Sequence, residues 1–562
     1  MTDLLIAQKA KLKPIVQIAS RLGIPRKHLE LYGDFKAKLS LDAMSAGRSR
    51  RGKYVVVTGI TPMHLGEGKT VTTIGLSMAL NSSGKKTVAC LRQPSIGPFF
   101  GIKGGGVGGG RSQVLPAEDI NLHLTGDIHA VSQAHNLCAA FLDNHILRGN
   151  QLGLDAGRIH WNRVVDVNDR SLRKVRIGLG CPECAERDTG FDITAASEVM
   201  AILALSTSVG EMRSRLGRIV VGFSKSGRAV TAEDLKVAGS MALLLKDAIK
   251  PTLVQTIEGT PALIHTGPFA NITHGNSSVI ADAIVLRLAD YVVTESGFGA
   301  DCGIEKFVNI KCRASGFKPD AVVLVASVRA LKAHSGLFRT VAGKPLDRNI
   351  ERENLDAVEH GCVNLEKQIE NARSYGVPCV VAINVFKSDT DREIDIVRRK
   401  ALESGAFDCV ASGFYRCGSR GGMPLSLAVT EACQGRSKFR FLYPADATLK
   451  SKIETIARKI YGAASVRYEK AAEENLAFYE KLGFGRLPVC MAKTHLSLSH
   501  DPSLKGAPKG FVLPVRDVRP SIGAGFICAL CGGIQTMPSL PAHPAGESID
   551  IDSEGRLRHI GR

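Results

Sequence analysis

One stretch, Tyr54–Met78 (YVVVTGITPMHLGEGKTVTTIGLSM), constrains this chain more than any other. The apolar run Tyr54–Val57 ends in Thr58-Gly59 and predicts a buried strand closed by turn residues. A loop with glycines at 66 and 68 follows. Lys69-Thr70 then opens a run carrying Val71, Ile74, Leu76 and Met78, which suits a helix packed on a sheet. Strand, glycine-containing loop, Lys-Thr and helix together describe a phosphate cradle. Backbone N–H groups converge at the helix N-terminus, where the macrodipole favours an anion. The lysine ammonium reaches terminal phosphates, and the Thr70 hydroxyl can ligate magnesium. The strict GxxxxGK[ST] pattern places glycine at position 63, where this chain has Met63, so the cradle is a variant one. The plainer reading is a strand–loop–helix unit whose glycines only let the chain turn.

With 562 residues, 44% of them hydrophobic, the chain can bury large cores, and its size suggests about three domains. No apolar stretch approaches the length of a membrane span, and residues 1–30 lack the apolar core and cleavage site of a secretory signal. Lys9, Lys11 and Lys13 faintly resemble a transit peptide, but Asp3 interrupts, and Leu4, Leu5, Ile15, Val16 and Ile18 fit a docking helix. The expected location is cytoplasmic, without membrane contact. The fourteen cysteines are scattered through apolar segments (Cys90, Cys138, Cys379, Cys490) and read as reduced, buried thiols. Cys181/Cys184 and Cys528/Cys531 each have the spacing of half a zinc site, yet lie far apart, the second in the apolar run FICALCGG. A net charge of +19 raises nucleic-acid binding as a reading. The Lys and Arg are dispersed, however, and no aromatic-plus-basic RNA motif is present. Nucleotides or polyglutamylated cofactors account for a basic surface as well, so small-molecule partners and no nucleic acid are expected.

Residues 1–50 read as helical and peripheral, ending in the basic linker Arg48–Lys53. Thr87–Leu91 reads as a second buried strand that ends at Arg92-Gln93-Pro94. Residues 101–113, GIKGGGVGGGRSQ, are too glycine-rich for either helix or strand. Gly104, Gly106 and Gly109 satisfy GxGxxG, but no apolar strand leads into them as a dinucleotide fold requires. A mobile loop that brings backbone close to a ligand is expected, with a flexible connector as the plainer reading. From about residue 190 the pattern alternates as βαβ units do. Ala195–Leu205 and Asp234–Lys246 show helical periodicity, and Arg218–Phe223, Leu253–Ile257, Tyr291–Thr294, Ala321–Val328 and Pro378–Phe386 are β-branched runs suited to parallel strands. Ligands of such sheets sit beyond the strands' carboxyl ends, here TESGFG (294–299) and Asn384-Val385-Phe386. Past residue 440, Leu449–Tyr461 and Ala471–Leu482 read as helices leading into a glycine- and proline-rich end. The predicted fold is α/β: a P-loop-type, doubly wound, mostly parallel sheet with additional smaller α/β domains. The expected division is an N-terminal helical segment (1–50), a P-loop nucleotide-binding core (51–330), a second α/β domain (331–440) and a C-terminal domain (441–562).

TPMHLGEGKT (61–70), RQPSIGPFFGIKGG (92–105), EDINLHLTGDIHA (118–130), DNH (143–145), FDITAASEVMA (191–201), residues 241–278, TESGFGADCGIEKF (294–307), MAKTHLSLSHDP (491–502) and FVLPVRDVR (511–519) together resemble formate–tetrahydrofolate ligase. The resemblance implies formate as a ligand of the 51–330 core and a folate site to which the 331–440 domain contributes. The likeness spans roughly residues 25–550 and looks most like the eukaryotic, here monofunctional, form. It implies ATP-dependent joining of formate to tetrahydrofolate through formyl phosphate, giving 10-formyltetrahydrofolate, ADP and phosphate. It also implies ATP with Mg2+, a homo-oligomer, and in some relatives a monovalent cation. On the matched positions, Leu65, Gly66, Glu67, Gly68, Lys69, Thr70 and Thr72 would hold ATP, with Thr70 on magnesium. Arg92 and Lys103 would hold formate and formyl phosphate, because a guanidinium fork suits carboxylate or phosphate. His123, Asp127 and His129 would supply the group that accepts the amine proton, or else only orient their loop. Phe386 and Tyr415 would clamp the pterin, Tyr415 standing where the family has tryptophan; Trp161 is expected to be structural. Arg111 and Ala314 stand where tyrosine is usual, and SIDIDSEGRLRHIGR lacks the family's usual terminal leucine-phenylalanine. The competing reading from another class is a P-loop ATPase switch that drives binding of a protein partner.

Overall fold

Tyr54–Val57 becomes strand because its side chains are apolar on both faces and both faces are covered. In the computed structural model, which describes residues 2–44, 51–63, 66–103, 105–181, 183–184, 186–338, 347–435 and 437–559, this run lies within strand β1, Lys53–Gly59. Tyr54 and Val56 point into one core. Val55 and Val57 point into another, which includes Leu76, Ala79 and Leu80 of helix α1, Lys69–Ser82.

Around β1 a large sheet is assembled from β2 (Thr87–Leu91), β3 (Thr252–Thr256), β4 (Pro261–Ile264), β5 (Tyr291–Gly299), β6 (Ala321–Ala326), β7 (Cys379–Asn384) and β8 (Asp408–Ser412). Their spatial order is β3-β4-β2-β5-β1-β6-β7-β8. From β4 to β8 every neighbouring pair is parallel, in register through Val293↔Val55 and Val323↔Val57 at the centre. The chain passes from β1 to β2 on one side and from β6 to β8 on the other. The strand order therefore reverses at β1, which opens a crevice beyond the carboxyl ends of β1 and β5. The fold is α/β, with this mostly parallel sheet and several smaller sheets, among them four strands formed by Ser465–Tyr468, Val489–Ala492, Val512–Ser521 and Phe526–Cys531.

Four local expectations change. The N-terminal stretch is helical at Asp3–Gln8 and Ile15–Leu22, but Leu29–Leu31 and Ala37–Leu39 add a hairpin to the sheet through β3, and Ile15, Ile18 and Ala19 are fully buried rather than peripheral. The run at Arg218–Phe223 forms a strand, Val220–Ser224, that is antiparallel in a separate three-stranded sheet. Apolar alternation marks burial but does not choose a partner strand. Within the glycine-rich stretch, Gly108–Gly109 pairs with Ser112–Leu115, which in turn pairs with β3. Tertiary pairing there overrides the poor strand propensity of glycine. Finally, Cys181 and Cys184 form a disulfide rather than two reduced thiols, since a tight turn folds one back onto the other. The remaining twelve cysteines are free, and all but Cys417 are buried. Among the described residues no helix is long and apolar enough to cross a membrane, and no three His, Cys, Asp or Glu side chains converge as a metal site.

Candidate active site

After β1, the chain turns through Gly66 (φ 79°) and Gly68 (φ 81°) into α1. Gly68 is required twice over. Its backbone is left-handed, and a Cβ there would lie 2.2 Å from Nδ2 of Asn384, the last residue of β7. Asn384 Nδ2 donates to the carbonyl of Glu67 at 3.3 Å. The Glu67 side chain turns inward: it accepts from the Met63 N–H at 2.8 Å and from the Ser327 hydroxyl at 2.7 Å. Burial raises its carboxyl above the usual range while those hydrogen bonds pull it back. Glu67 is thus a strut of the loop, tying it to the segment after β6. Leu65 lies outside the described residues. Thr72 is buried on α1 with its hydroxyl oxygen unpartnered.

The stem of Lys69 runs over Gly59, where a Cβ would meet Cδ at 3.3 Å. Burial pushes the ammonium below its ordinary value; Glu67 and Glu295 oppose this and Arg92 adds to it. Among the described residues no hydrogen bond or ion pair holds the Lys69 ammonium. Glu295, on β5, joins the remaining parts. One carboxylate oxygen accepts from the Thr70 hydroxyl at 2.7 Å, and the other receives Arg92 Nη2 at 3.3 Å. Arg92 directly follows β2 and donates from Nη1 to the carbonyl of Pro268 at 3.1 Å, while its buried Nε has no partner among the described residues. A partly desolvated ammonium, a guanidinium with unused donor capacity and a hydroxyl therefore meet around one carboxylate at the crevice. Such donors can receive an anion, and a carboxylate and a hydroxyl are oxygens of the kind that ligate a divalent cation.

His123 and His129 are exposed and hydrogen-bonded to each other, with Nδ1 of the first 2.7 Å from Nε2 of the second. His129 also sits near Asp166, whose carboxyl is raised by burial and lowered by the Ile96 N–H, the Ser95 hydroxyl and His129. Through Ser95 and Ile96 the histidine pair is linked to the chain just past Arg92. Asp127 is elsewhere engaged: buried at the start of helix α2, Asp127–Leu147, it forms an ion pair with Lys38 at 2.7 Å. Lys38 also donates to the carbonyl of Lys250 at 2.8 Å.

Phe386 follows β7, and its ring is covered by the Arg329 guanidinium, 3.6 Å from the ring centroid. Tyr415 follows β8. Its hydroxyl donates to Asp3 Oδ1 at 2.6 Å, and its carbonyl accepts from the Arg111 N–H at 2.8 Å, so it lies against the glycine hairpin. The side chain of Lys103 lies outside the described residues. Trp161 is buried and stacked on His135, with centroids 3.9 Å apart, as a structural tryptophan would be. Glu295, Ser327, Arg329 and Asn384 were not singled out from the sequence. The carboxyl-end rule pointed to TESGFG and to Asn384-Val385-Phe386, but not to which side chain turns toward the cradle.

A family profile described as Formate--tetrahydrofolate ligase matches residues 1–560. The chain belongs to the formate–tetrahydrofolate ligase family. Formate--tetrahydrofolate ligases from Roseiflexus castenholzii and Saccharopolyspora erythraea are each 58% identical to it, over 561 and 558 residues. The first alignment covers 100% of both chains and the second 99% of both. The Formate--tetrahydrofolate ligase of Desulforamulus reducens is 54% identical over 557 residues, 99% of this chain and 98% of its own. The likeness read from the motifs thus extends over the whole chain, while the expected leaning toward the eukaryotic form finds no support in these relatives. At the position of the strict-motif glycine, the Met63 N–H donates to Glu67.

Proposed function

We propose that this chain performs the reaction of its family, ATP-dependent ligation of formate to tetrahydrofolate, in the crevice between the β1–α1 cradle and the ends of β2 and β5. The observation that supports this most strongly is the gathering of Lys69, Thr70 and Arg92 around Glu295. Backbone N–H groups of residues 66–70 and the Lys69 ammonium bind the ATP phosphates. Thr70 and Glu295 would hold Mg2+, which when bound neutralises charge on the β- and γ-phosphates. Arg92 holds formate with one oxygen in line with the γ-phosphorus; Lys103 is a second candidate for that anion. Phosphoryl transfer to this oxygen gives formyl phosphate, a mixed anhydride with a good leaving group. The amine of tetrahydrofolate then attacks the formyl carbon, phosphate departs on Arg92 and Lys69, and the His123–His129 pair takes the amine proton. Asp127, neutralised by Lys38, acts as a positioning residue for the start of α2.

Phe386 offers its free face to the pterin, with Arg329 stacked on the other, and Tyr415 forms the second wall. Holding the reactants in line while excluding water protects the anhydride from hydrolysis. In this reading the chain divides near residues 50, 330 and 440, and strands β7 and β8, which join the same sheet as β1, lead into Phe386 and Tyr415. Eleven buried free thiols fit a cytoplasmic enzyme, and we assign it as a homo-oligomer acting on small molecules. An assay that omits formate, tetrahydrofolate and MgATP in turn tests the reaction: ADP should form only when all are present. ADP release without formate and tetrahydrofolate would return the chain to the switch class, which the family match does not favour.

A further inference from the structure

Away from the crevice, the C-terminal four-stranded sheet meets the segment Pro268–Ile272 through two thiols, and one ammonium from the helical turn Gly303–Lys306 joins them. Cys490 and Cys528 are register partners on adjacent parallel strands, so their side chains leave the same face. Both sulfurs converge on one acceptor, the carbonyl of Ile272, at 3.4 and 3.7 Å. Beside them the fully buried Lys306 donates to the carbonyl of Ala270 at 2.5 Å. Among the described residues Lys306 forms no ion pair. Its neighbour Glu305 is bonded to Asn309 and pushed up to about 7 by burial. A buried ammonium is costly unless an anion accompanies it. Of the two thiols, Cys528 is the one that can supply that anion, by giving up the proton it otherwise donates to the Ile272 carbonyl. Burial lowers the Lys306 ammonium, yet Cys490, Cys302, Glu305 and Cys528 outweigh it and hold it above its ordinary value. The hydrogen bond from Cys490 holds the Cys528 thiol below its ordinary value, against burial, while burial drives Cys490 up. Cys528 also lines a cavity of ≈ 80 Å³ together with His135, Trp161, Glu198, Thr273 and Arg519.

We propose that Cys528 and Cys490 form a hydroperoxide-reactive thiol pair whose oxidation loosens the Pro268–Ile272 segment behind Arg92. The Cys528 thiolate attacks one oxygen of the hydroperoxide. The O–O bond breaks, an alkoxide or hydroxide leaves and takes a proton from water, and Cys528 becomes a sulfenic acid. The Cys490 sulfur then attacks that sulfur, the S–O bond breaks, and the hydroxyl departs as water with the Cys490 proton. Two thiols have lost two electrons to the peroxide and a disulfide joins the strands. The disulfide has no S–H, so the buried Ile272 carbonyl loses both donors. The same segment supplies the Pro268 carbonyl that orients Arg92. This link to formate rests on the assignment of Arg92 made above.

The test treats the full chain with hydrogen peroxide and maps its peptides without reduction. A Cys490–Cys528 cross-link lighter by two hydrogens is expected, reversed by dithiothreitol, with the fully buried Cys379 untouched. The formate KM of the oxidised protein should rise about tenfold, the effect of one lost buried hydrogen bond, with ATP affinity unchanged. Cys528→Ser should keep the basal activity and lose the peroxide response. Free Cys490 and Cys528 after treatment, or equal peroxide sensitivity in Cys528→Ser, overturns the thiol pair, and the peptide map needs no variant to fold. A cross-link with unchanged formate KM overturns the coupling if Arg92→Ala raises that KM. If Arg92→Ala does not, the formate assignment itself fails and the cross-link alone decides the pair.

Discussion

Arg92 and Glu295 face one another across the carboxyl ends of the adjacent strands β2 and β5, Nη2 lying 3.3 Å from Oε1. The second Glu295 oxygen is taken by the Thr70 hydroxyl, so one carboxylate sets the spacing between the phosphate cradle and the guanidinium. Glu295→Gln keeps the shape and removes the charge. Turnover should fall about 100-fold, as when one electrostatic contact to a transition state is lost, and the magnesium requirement should rise. Steady-state rates across a magnesium titration check this; an unchanged curve removes Glu295 from the site.

Gly68 and Gly84 have nearly the same positive φ, 81° and 78°, but differ in surroundings. A Cβ on Gly84 meets nothing within 4 Å, whereas one on Gly68 lies 2.2 Å from Asn384 Nδ2. Gly84→Ala should cost about 1–2 kcal/mol of stability and leave ATP binding intact. Gly68→Ala should lose ATP binding, because the loop must move to clear Asn384. Calorimetric titration with nucleotide, paired with thermal melts, separates the two; equal ATP affinity in both variants would contradict the role of the Asn384 contact.

Phe386 carries the Arg329 guanidinium on one face of its ring, and the proposed folate site uses the other. Phe386→Ala should raise the tetrahydrofolate KM with little change for ATP. Arg329→Lys should have a smaller effect of the same kind, since an ammonium cannot stack as a planar guanidinium does. A tetrahydrofolate KM unaltered in both variants would remove the ring from the folate site.

Glu198 accepts from the N–H groups of Gly523 and Ala524, and burial lifts its carboxyl from 4.5 to about 8. Between these values the folded chain holds a proton that the unfolded chain releases. The associated stability is present below about 4.5 and is lost as pH rises through about 8. The loss should be on the order of 1–2 kcal/mol, given the residue's partial contact with solvent. Melting temperatures from pH 5 to pH 9 should fall for the native chain and stay flatter for Glu198→Gln. Parallel curves would remove Glu198 as the source.

The helix-opening Lys69-Thr70, the cradle glycines and the strands beginning at Tyr54 and Thr87 were legible because local patterns carry them. A buried parallel strand must be apolar throughout, and a phosphate loop must carry glycine where φ is positive. The position of Arg92 just past a strand was legible from the run Thr87–Leu91. The roles of neighbouring polar residues were less so. Glu67, within the same motif, turned out to brace the loop, and Asp127 is neutralised by Lys38 from the N-terminal hairpin.

Residue order alone thus determined the α/β class, the cradle and the family, since each is written in short-range spacing or in long matched strings. Only the folded chain decided that Glu295 bridges Thr70 and Arg92, that Arg329 backs Phe386, and that Cys490 meets Cys528. Those pairs are separated widely in the chain. Their meeting depends on strand order and register, which are settled by the packing of whole faces rather than by any local preference.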